Sequence, residues 1–439
     1  MIRPACIMLA LAFAVGAPAA WADIRIASVT SPGGIEAWLY EEHSIPLLTI
    51  DASFLGGPGF DPEGREGTTS LMAALLDEGA GGLDSVAFST KLEDLVARIS
   101  FYTGGDDVRL SATMLTEARD GVTDLLRLAL TEPRFDTGPV ERLRAQTLAA
   151  IQQSDADPQT RAYTSFYAQA FPGHPYGRPA QGTEASVTAI SVDGLRAVQK
   201  AVFTRAHLRV AVVGDITPGE LGPLLDHVFG ALPETGPELP AVATPQLSGK
   251  TTVIDIDASQ SVVVFGNAGF LPEDPDIIPA MLLNYVLGGG SLGSRLGAEM
   301  RVKRGLTYGV NTWLASGSFG GLYLGTFSSS TERVAEAIQI VRDEWARMAE
   351  LGITEAELAS AKRYLTGEFP LRFQGSAEIA EQLLALQLFG HDPGYVTRRS
   401  NLIEAVTVED IARVARRLVQ PDALTVVIAG RMKGLEPGN

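Results

Sequence analysis

The sequence predicts an α+β fold built from two copies of one domain, and three observations carry the prediction. First, segments recur at a fixed offset. Ser191-Val-Asp-Gly-Leu-Arg-Ala-Val leads into the strand-like His207-Leu-Arg-Val-Ala-Val-Val-Gly-Asp215. Thr407-Val-Glu-Asp-Ile-Ala-Arg-Val leads, 216 residues later, into Ala423-Leu-Thr-Val-Val-Ile-Ala-Gly-Arg431. Val140-Glu-Arg-Leu-Arg-Ala-Gln and Ala356-Glu-Leu-Ala-Ser-Ala-Lys stand at the same offset, and a period this long means two copies of a domain, not a solenoid. Second, strand-like and helix-like segments cluster without strict βαβ alternation, which is the α+β pattern. Third, prolines at 233, 237, 240 and 245 fall between the copies and read as an extended linker. The boundaries expected are a first domain at 23–232, a linker at 233–248 and a second domain at 249–439.

Taken in order, the chain opens with Arg3, an apolar run over 5–15 and the small-residue site Ala20-Trp21-Ala22. That is the three-part pattern of a secretory signal peptide, with cleavage expected after Ala22. The apolar run is short for a membrane span, and the expected location is periplasmic or secreted. The run Leu47 to Leu55, followed by Gly-Pro-Gly-Phe-Asp-Pro-Glu, reads as a strand and resembles Ser261 to Gly269 in the second copy. Ile99 to Thr103 and Val108 to Met114 flank Gly104-Gly105-Asp106-Asp107, a hairpin signal. Val122 to Leu130, Val140 to Gln152 and Arg161 to Ala170 show helical spacing. In the second copy, Leu306 to Leu314 and Gly321 to Ser328 read as strands. Val334 to Met348, Glu355 to Leu365 and Ile379 to Leu388 read as helices.

Composition excludes several classes. The net charge of −17 repels nucleic acid. No later stretch is apolar and long enough to span a membrane. The single cysteine, Cys6, lies in the leader, so the exported chain has neither a disulfide nor a thiolate metal site. The five histidines, His43, His174, His207, His227 and His391, are widely spaced, and no two stand four apart. Each reads as structural or surface. Asp77 and Glu78 follow an apolar helical run and read as solvated end-of-helix charges. Gly288-Gly289-Gly290 lacks the Gly-Lys-Ser/Thr of a phosphate loop and reads as a flexible turn ahead of a helix, close to bound peptide backbone. Phe101, Tyr102, Phe319 and Tyr323 fall on expected strands, where core packing is the default.

Three segments carry a resemblance: Gly67-Thr-Thr-Ser-Leu-Met-Ala-Ala-Leu-Leu-Asp-Glu-Gly79, His174-Pro-Tyr-Gly177, and Gly288-Gly-Gly-Ser-Leu-Gly-Ser-Arg-Leu296 leading into Arg301-Val-Lys-Arg-Gly-Leu-Thr-Tyr308. Through them the chain resembles the superfamily of pitrilysin, insulin-degrading enzyme and mitochondrial processing peptidase, over nearly all of 23–439. The resemblance implies two homologous domains, each a mixed, mostly antiparallel sheet covered by helices, arranged as a clam. Catalytic members carry H-x-x-E-H on a helix, because residues i and i+4 share a face and two imidazoles there bind one zinc, beside a glutamate that activates water. Here the two histidine positions fall on Ser70 and Ala74, the glutamate position on Ala73, and the downstream ligand on about Ala150. Alanine has no lone pair and a lone serine hydroxyl is a poor ligand, so no zinc is expected in this chain.

The resemblance assigns an assisting role to an Arg and a Tyr seven residues apart, here Arg301 and Tyr308. A guanidinium and a phenol donate hydrogen bonds to an oxyanion or to peptide carbonyls without a metal. Spacing alone also fits a surface salt bridge for Arg301 and sheet packing for Tyr308. The implied function is the zinc-less subunit of a heterodimeric periplasmic metallopeptidase. Arg301, Tyr308 and the Gly288-Gly289-Gly290 turn would serve a peptide or unfolded substrate, and zinc would sit on a homologous H-x-x-E-H partner subunit. The alternatives are a non-proteolytic scaffold with the peptidase fold and a peptide-binding protein working alone.

Overall fold

The computed structural model describes residues 25–431. The signal-peptide reading of residues 1–22 lies outside the described residues. The first half runs β1 (Ile26–Thr30), β2 (Glu36–Glu41), β3 (Leu47–Leu55), α1 (Thr68–Ala73), β4 (Gly79–Ala80), β5 (Leu83–Asp84), α2 (Ser85–Asp94), β6 (Arg98–Thr103), β7 (Asp107–Leu115), α3 (Arg119–Thr131), α4 (Thr137–Ala156), α5 (Pro158–Ala170), α6 (Glu184–Thr188), α7 (Val192–Val202), β8 (Leu208–Gly214) and α8 (Pro218–Phe229). The second half runs β9 (Thr251–Ile254), β10 (Ser261–Ala268), α9 (Ile277–Asn284), β11 (Val310–Gly317), β12 (Gly320–Ser329), α10 (Val334–Leu351), α11 (Glu355–Glu368), α12 (Ser376–Leu388), α13 (Tyr395–Ala405), α14 (Val408–Leu418) and β13 (Thr425–Ala429).

The duplication is visible in the strand order. One sheet runs β1-β2-β8-β3-β7-β6, and the other, written backwards, runs β9-β13-β10-β12-β11. In each, the terminal strand of the copy pairs parallel with an early one (β2 with β8, β9 with β13) and the remaining pairings are antiparallel. The fold is thus the expected pair of mixed, mostly antiparallel sheets covered by helices.

Side-chain alternation explains how the halves hold together. Successive strand residues face opposite sides of a sheet. On β8, Val210 and Val212 join the first half's core, while Ala211 and Val213 face outward onto Leu383 and Leu384 of α12. On β13, Val426 and Ile428 join the second half's core, while Val427 and Ala429 face Phe166 and Ala170 of α5. Each half therefore lends one helix to cover the other half's sheet. Strands buried on both faces read as continuous apolar runs, which is the composition of both strands. Fully burying a Phe or Leu side chain stabilises by about 1.5–3 kcal/mol, so the exchanged helices are a strong joint.

The connector between the halves is extended and packed. The Ala243 amide donates to the Phe319 carbonyl at 2.8 Å, and the Gln246 amide donates to the Ala170 carbonyl at 2.7 Å. Among the described residues no helix is long and apolar enough to cross a membrane.

Candidate functional site

The helix carrying the degenerate zinc positions is short. Asp61 caps α1: its carboxylate accepts from the Thr69 amide at 3.2 Å and from the Thr69 hydroxyl at 2.5 Å. Burial pushes the Asp61 carboxyl up to about 6, against the pull of those hydrogen bonds. Ala74 donates its amide to the Ser70 carbonyl at 3.2 Å, so these two positions do lie one helical turn apart. Ser70 is half-buried and Ala74 is exposed, whereas Ala73 is buried in the core. Ala150 lies on the exposed side of α4, which packs against α1. The place is intact as backbone, but its side chains supply one hydroxyl and no imidazole or carboxylate. A zinc ion does not fit it. Among the described residues no group of three or more His, Cys, Asp or Glu side chains is arranged to hold a metal ion.

Glu78 is not the solvated end-of-helix charge expected. It is half-buried and ion-paired with Arg142 of α4 at 2.6 Å, and it accepts from the Ser85 hydroxyl at 2.8 Å. These partners hold its carboxyl below the usual range, against the opposing effect of burial. His43 and His227 lie at the surface and pair with Asp215 and Asp124, each at 2.8 Å, and His391 stacks on Tyr395.

The second half presents the other candidates. α9 runs on into a π-helical turn, Tyr285–Gly289, and a second π-helical segment, Gly297–Lys303, carries Arg301. The glycine triplet between them is packed, not the flexible turn that composition suggests. A Cβ on Gly288 would sit 2.4 Å from Thr312 Oγ1 of β11, one on Gly289 2.5 Å from Asn284 Nδ2, and one on Gly290 2.6 Å from the Tyr285 carbonyl. Close packing within the chain accounts for all three glycines.

The strand expected from Leu306 begins only at Val310. The Leu306 amide donates to Met300 and its carbonyl accepts from the Ser329 hydroxyl, while the Thr307 hydroxyl donates to the Gly309 carbonyl at 2.8 Å. These bonds fold 306–309 into a turn and put Tyr308 at its tip. Tyr308 is 83 % exposed and does not pack on the sheet. Arg301 is exposed, and among the described residues its guanidinium makes no ion pair or side-chain hydrogen bond. Both groups therefore project to solvent with their donors free, at the entrance to β11. Among the described residues β11 pairs with β12 alone and forms the outer edge of its sheet.

A cavity of about 610 Å³ lies between the halves. It is walled by Asp106 and Arg109, by Tyr163 and Tyr167 of α5, by Tyr176, by residues 314–318 and by Leu388 of α12. Neither Arg301, Tyr308 nor the glycine triplet lines it. Sequence reasoning missed the clasp on its wall. The Tyr176 hydroxyl donates to Asp106 at 2.7 Å and accepts from the Phe319 amide at 3.0 Å; Asp106 also accepts from the Ser318 amide at 2.8 Å. Burial, then the Asp106 carboxylate, raises the Tyr176 phenol well above its ordinary range. The signals were present in the Gly104-Gly105-Asp106-Asp107 turn and in His174-Pro-Tyr-Gly177, but neither names its partner across the halves. Of the strand aromatics, Tyr323 is buried and stacked on Trp345, and Phe319 is buried at the β11–β12 turn. Phe101 packs partly against the first core, whereas Tyr102 is 41 % exposed and departs from the core expectation.

Comparison with known proteins agrees with this geometry. Residues 189–365 match the family model described as the peptidase M16 inactive domain. The chain is 31% identical over 342 residues to the non-peptidase homolog YmxG of Helicobacter pylori, across 76% of this chain and 78% of that protein. It is 26% identical over 398 residues to an uncharacterized zinc protease of Streptomyces coelicolor, across 88% of this chain and 86% of that one. The crystal structure of a peptidase M16 inactive domain from Pseudomonas fluorescens is similar with a TM-score of 0.87 at 25% identity, covering 94% of this chain and 100% of that one. With relatives of both kinds, the donor set decides. The chain belongs to the M16 peptidase family, as an inactive homologue without zinc ligands of its own.

Proposed function

We propose that this chain is the zinc-less subunit of a two-subunit metallopeptidase, exported to the periplasm and paired with a homologous subunit that carries H-x-x-E-H. The metal and the general base belong to that partner. Arg301 and Tyr308 act in trans: guanidinium and phenol donate hydrogen bonds to the scissile carbonyl as negative charge develops on its oxygen, and to neighbouring peptide carbonyls. The substrate is an extended peptide or an unfolded segment. β11 suits it, because a sheet edge offers unpaired backbone groups to an added strand. The edge sequence Val-Asn-Thr-Trp-Leu-Ala-Ser-Gly has no charged residue and no proline, the usual devices that blunt an edge.

One observation carries this reading. The positions for zinc ligands hold no imidazole or carboxylate, while Arg301 and Tyr308 stand exposed with free donors. A protein that only scaffolds has no use for an unpaired cation and, seven residues on, an exposed phenol in the turn that leads into an open strand edge. The test is peptide hydrolysis by the reconstituted two-subunit complex carrying Arg301→Ala or Tyr308→Phe. Loss of an oxyanion donor lowers turnover by about 10² to 10³-fold. Unchanged turnover in both variants rules out assistance in trans.

A further inference from the structure

We propose that Arg295 is a positioning residue for Arg301 and Tyr308, fixing the register of the π-helical segment that presents them through its ion pair with Glu357. The inference rests on reading Arg301 and Tyr308 as the substrate-facing pair. Arg295 stands two residues before the segment Gly297–Lys303 begins. Its Nε donates to Glu357 Oε1 at 2.7 Å and its Nη2 to Glu357 Oε2 at 2.8 Å, a two-pronged pairing. The same Nη2 donates to the Gly352 carbonyl at 2.9 Å, at the end of α10. Glu357 is in turn fixed by the start of α11, where it accepts from the Thr354 amide at 2.8 Å and hydroxyl at 2.9 Å. The Arg295 side chain is 10% exposed. Its Nη1 is buried without a hydrogen-bond partner, and the other two nitrogens hold the guanidinium in place. The Glu357 carboxyl is lowered to about 2, first by Arg295, and the pair stays charged throughout the neutral range.

The anchor matters because the segment is π-helical. A slip of one residue between π and α winding turns each following side chain by about 100° around the axis. Fixing both ends of the segment therefore decides where Arg301 points. Leu296 and Met300 are fully buried and set the face, but apolar contacts do not forbid a slip by themselves. The two-pronged bond fixes the upstream end, because only one register there brings the guanidinium plane onto the carboxylate. Lysine has a point charge and no fork, so it does not reproduce the constraint. Downstream, the Arg333 guanidinium donates to the Arg304 carbonyl at 3.1 Å and completes the frame. Arg301 is left free within it.

The test uses Arg295→Lys, with Glu357→Gln as a second variant that keeps the size of the α11 cap. Hydrogen exchange is measured on the full chain alone, and peptide hydrolysis on the two-subunit complex. The expected result is exchange about tenfold faster at 297–305, with β10 and β12 unchanged. In the complex, kcat falls about tenfold with KM nearly constant, since small misplacement of a positioned group is costly. Arg295→Lys adds no further loss once Arg301→Ala and Tyr308→Phe are present. Unchanged exchange at 297–305, exchange raised equally through the whole second half, or additive losses of rate would each overturn the proposal. If local exchange rises while the Arg301 and Tyr308 variants hydrolyse at full rate, the anchor is supported and the substrate-facing reading fails, so the two failures are separable.

Discussion

The two halves share one topology and have opposite surfaces. In the first half, the helix that would grip a metal, α1, is capped by a buried carboxylate and keeps its turn spacing, yet it offers only Ser70. In the second half, the corresponding region winds into π-helical turns and holds Arg301 and Tyr308 out to solvent. The difference teaches that the contacts joining the two halves are separate from the side chains that would meet a substrate. The exchanged helices and the interdomain clasp hold the molecule together, and neither includes Arg301 or Tyr308.

That separation can be broken or sharpened by substitution. The largest effect is expected where each half leans on the other. Phe166→Ala in α5 and Leu383→Ala in α12 remove side chains that are fully buried against the opposite sheet. They cost about 3–5 and 2–5 kcal/mol respectively, read by chemical denaturation. Comparable losses support a symmetric exchange; a loss confined to one variant shows that one half carries the joint.

The next effect is a pH dependence. Asp51 on β3 is 3% exposed, with one carboxylate oxygen that has no hydrogen-bond partner. Burial raises its carboxyl to about 6. A raised carboxyl means the folded state binds more protons than the unfolded one between about pH 4 and pH 6. Stability therefore falls as pH rises through that window. Asp51→Asn removes the penalty. It is expected to be more stable than the wild type by about 2–3 kcal/mol at pH 7.5, and the two should converge near pH 4. In the second half the paired Glu357, with its carboxyl lowered to about 2, works in the other direction. Its contribution is present above about pH 4 and is lost as pH falls toward 2. Melting curves across pH for Asp51→Asn and Glu357→Gln separate the halves.

A smaller effect is expected at the clasp. Tyr176→Phe removes the hydroxyl between Asp106 and the Phe319 amide and costs about 1 kcal/mol. Amide exchange should rise at 318–319 before it rises elsewhere. If exchange rises first in β11 instead, the edge strand is the weaker element.

Much of this was legible in the residues. The repeat offset announced two copies, and the strand and helix spacings located most elements, because amphipathic periodicity reports burial directly. Periodicity does not say what does the burying. Arg161 to Ala170 and Ile379 to Leu388 read as helices, but nothing in either names the other half's sheet as its partner. The strand expected from Leu306 began later because side-chain hydroxyls of Thr307 and Ser329 captured backbone carbonyls, a local competition that hydropathy does not record. The glycine triplet read as flexible because composition shows the missing side chain and not the neighbour that needs the space. At the candidate sites, the absence of zinc donors was plain from residue type alone. The exposure of Arg301 and Tyr308 and the anchoring of Arg295 required three dimensions.

The central claim is that this chain grips no zinc yet completes a site on another subunit. It is tested by measuring bound zinc and peptide hydrolysis for this chain alone, for a co-purifying H-x-x-E-H homologue alone, and for their mixture. The account predicts far less than one zinc per copy of this chain, no hydrolysis by either chain alone at the rate of the pair, and hydrolysis on mixing. One tightly held zinc per copy of this chain, or full hydrolysis by the partner without it, would contradict the account.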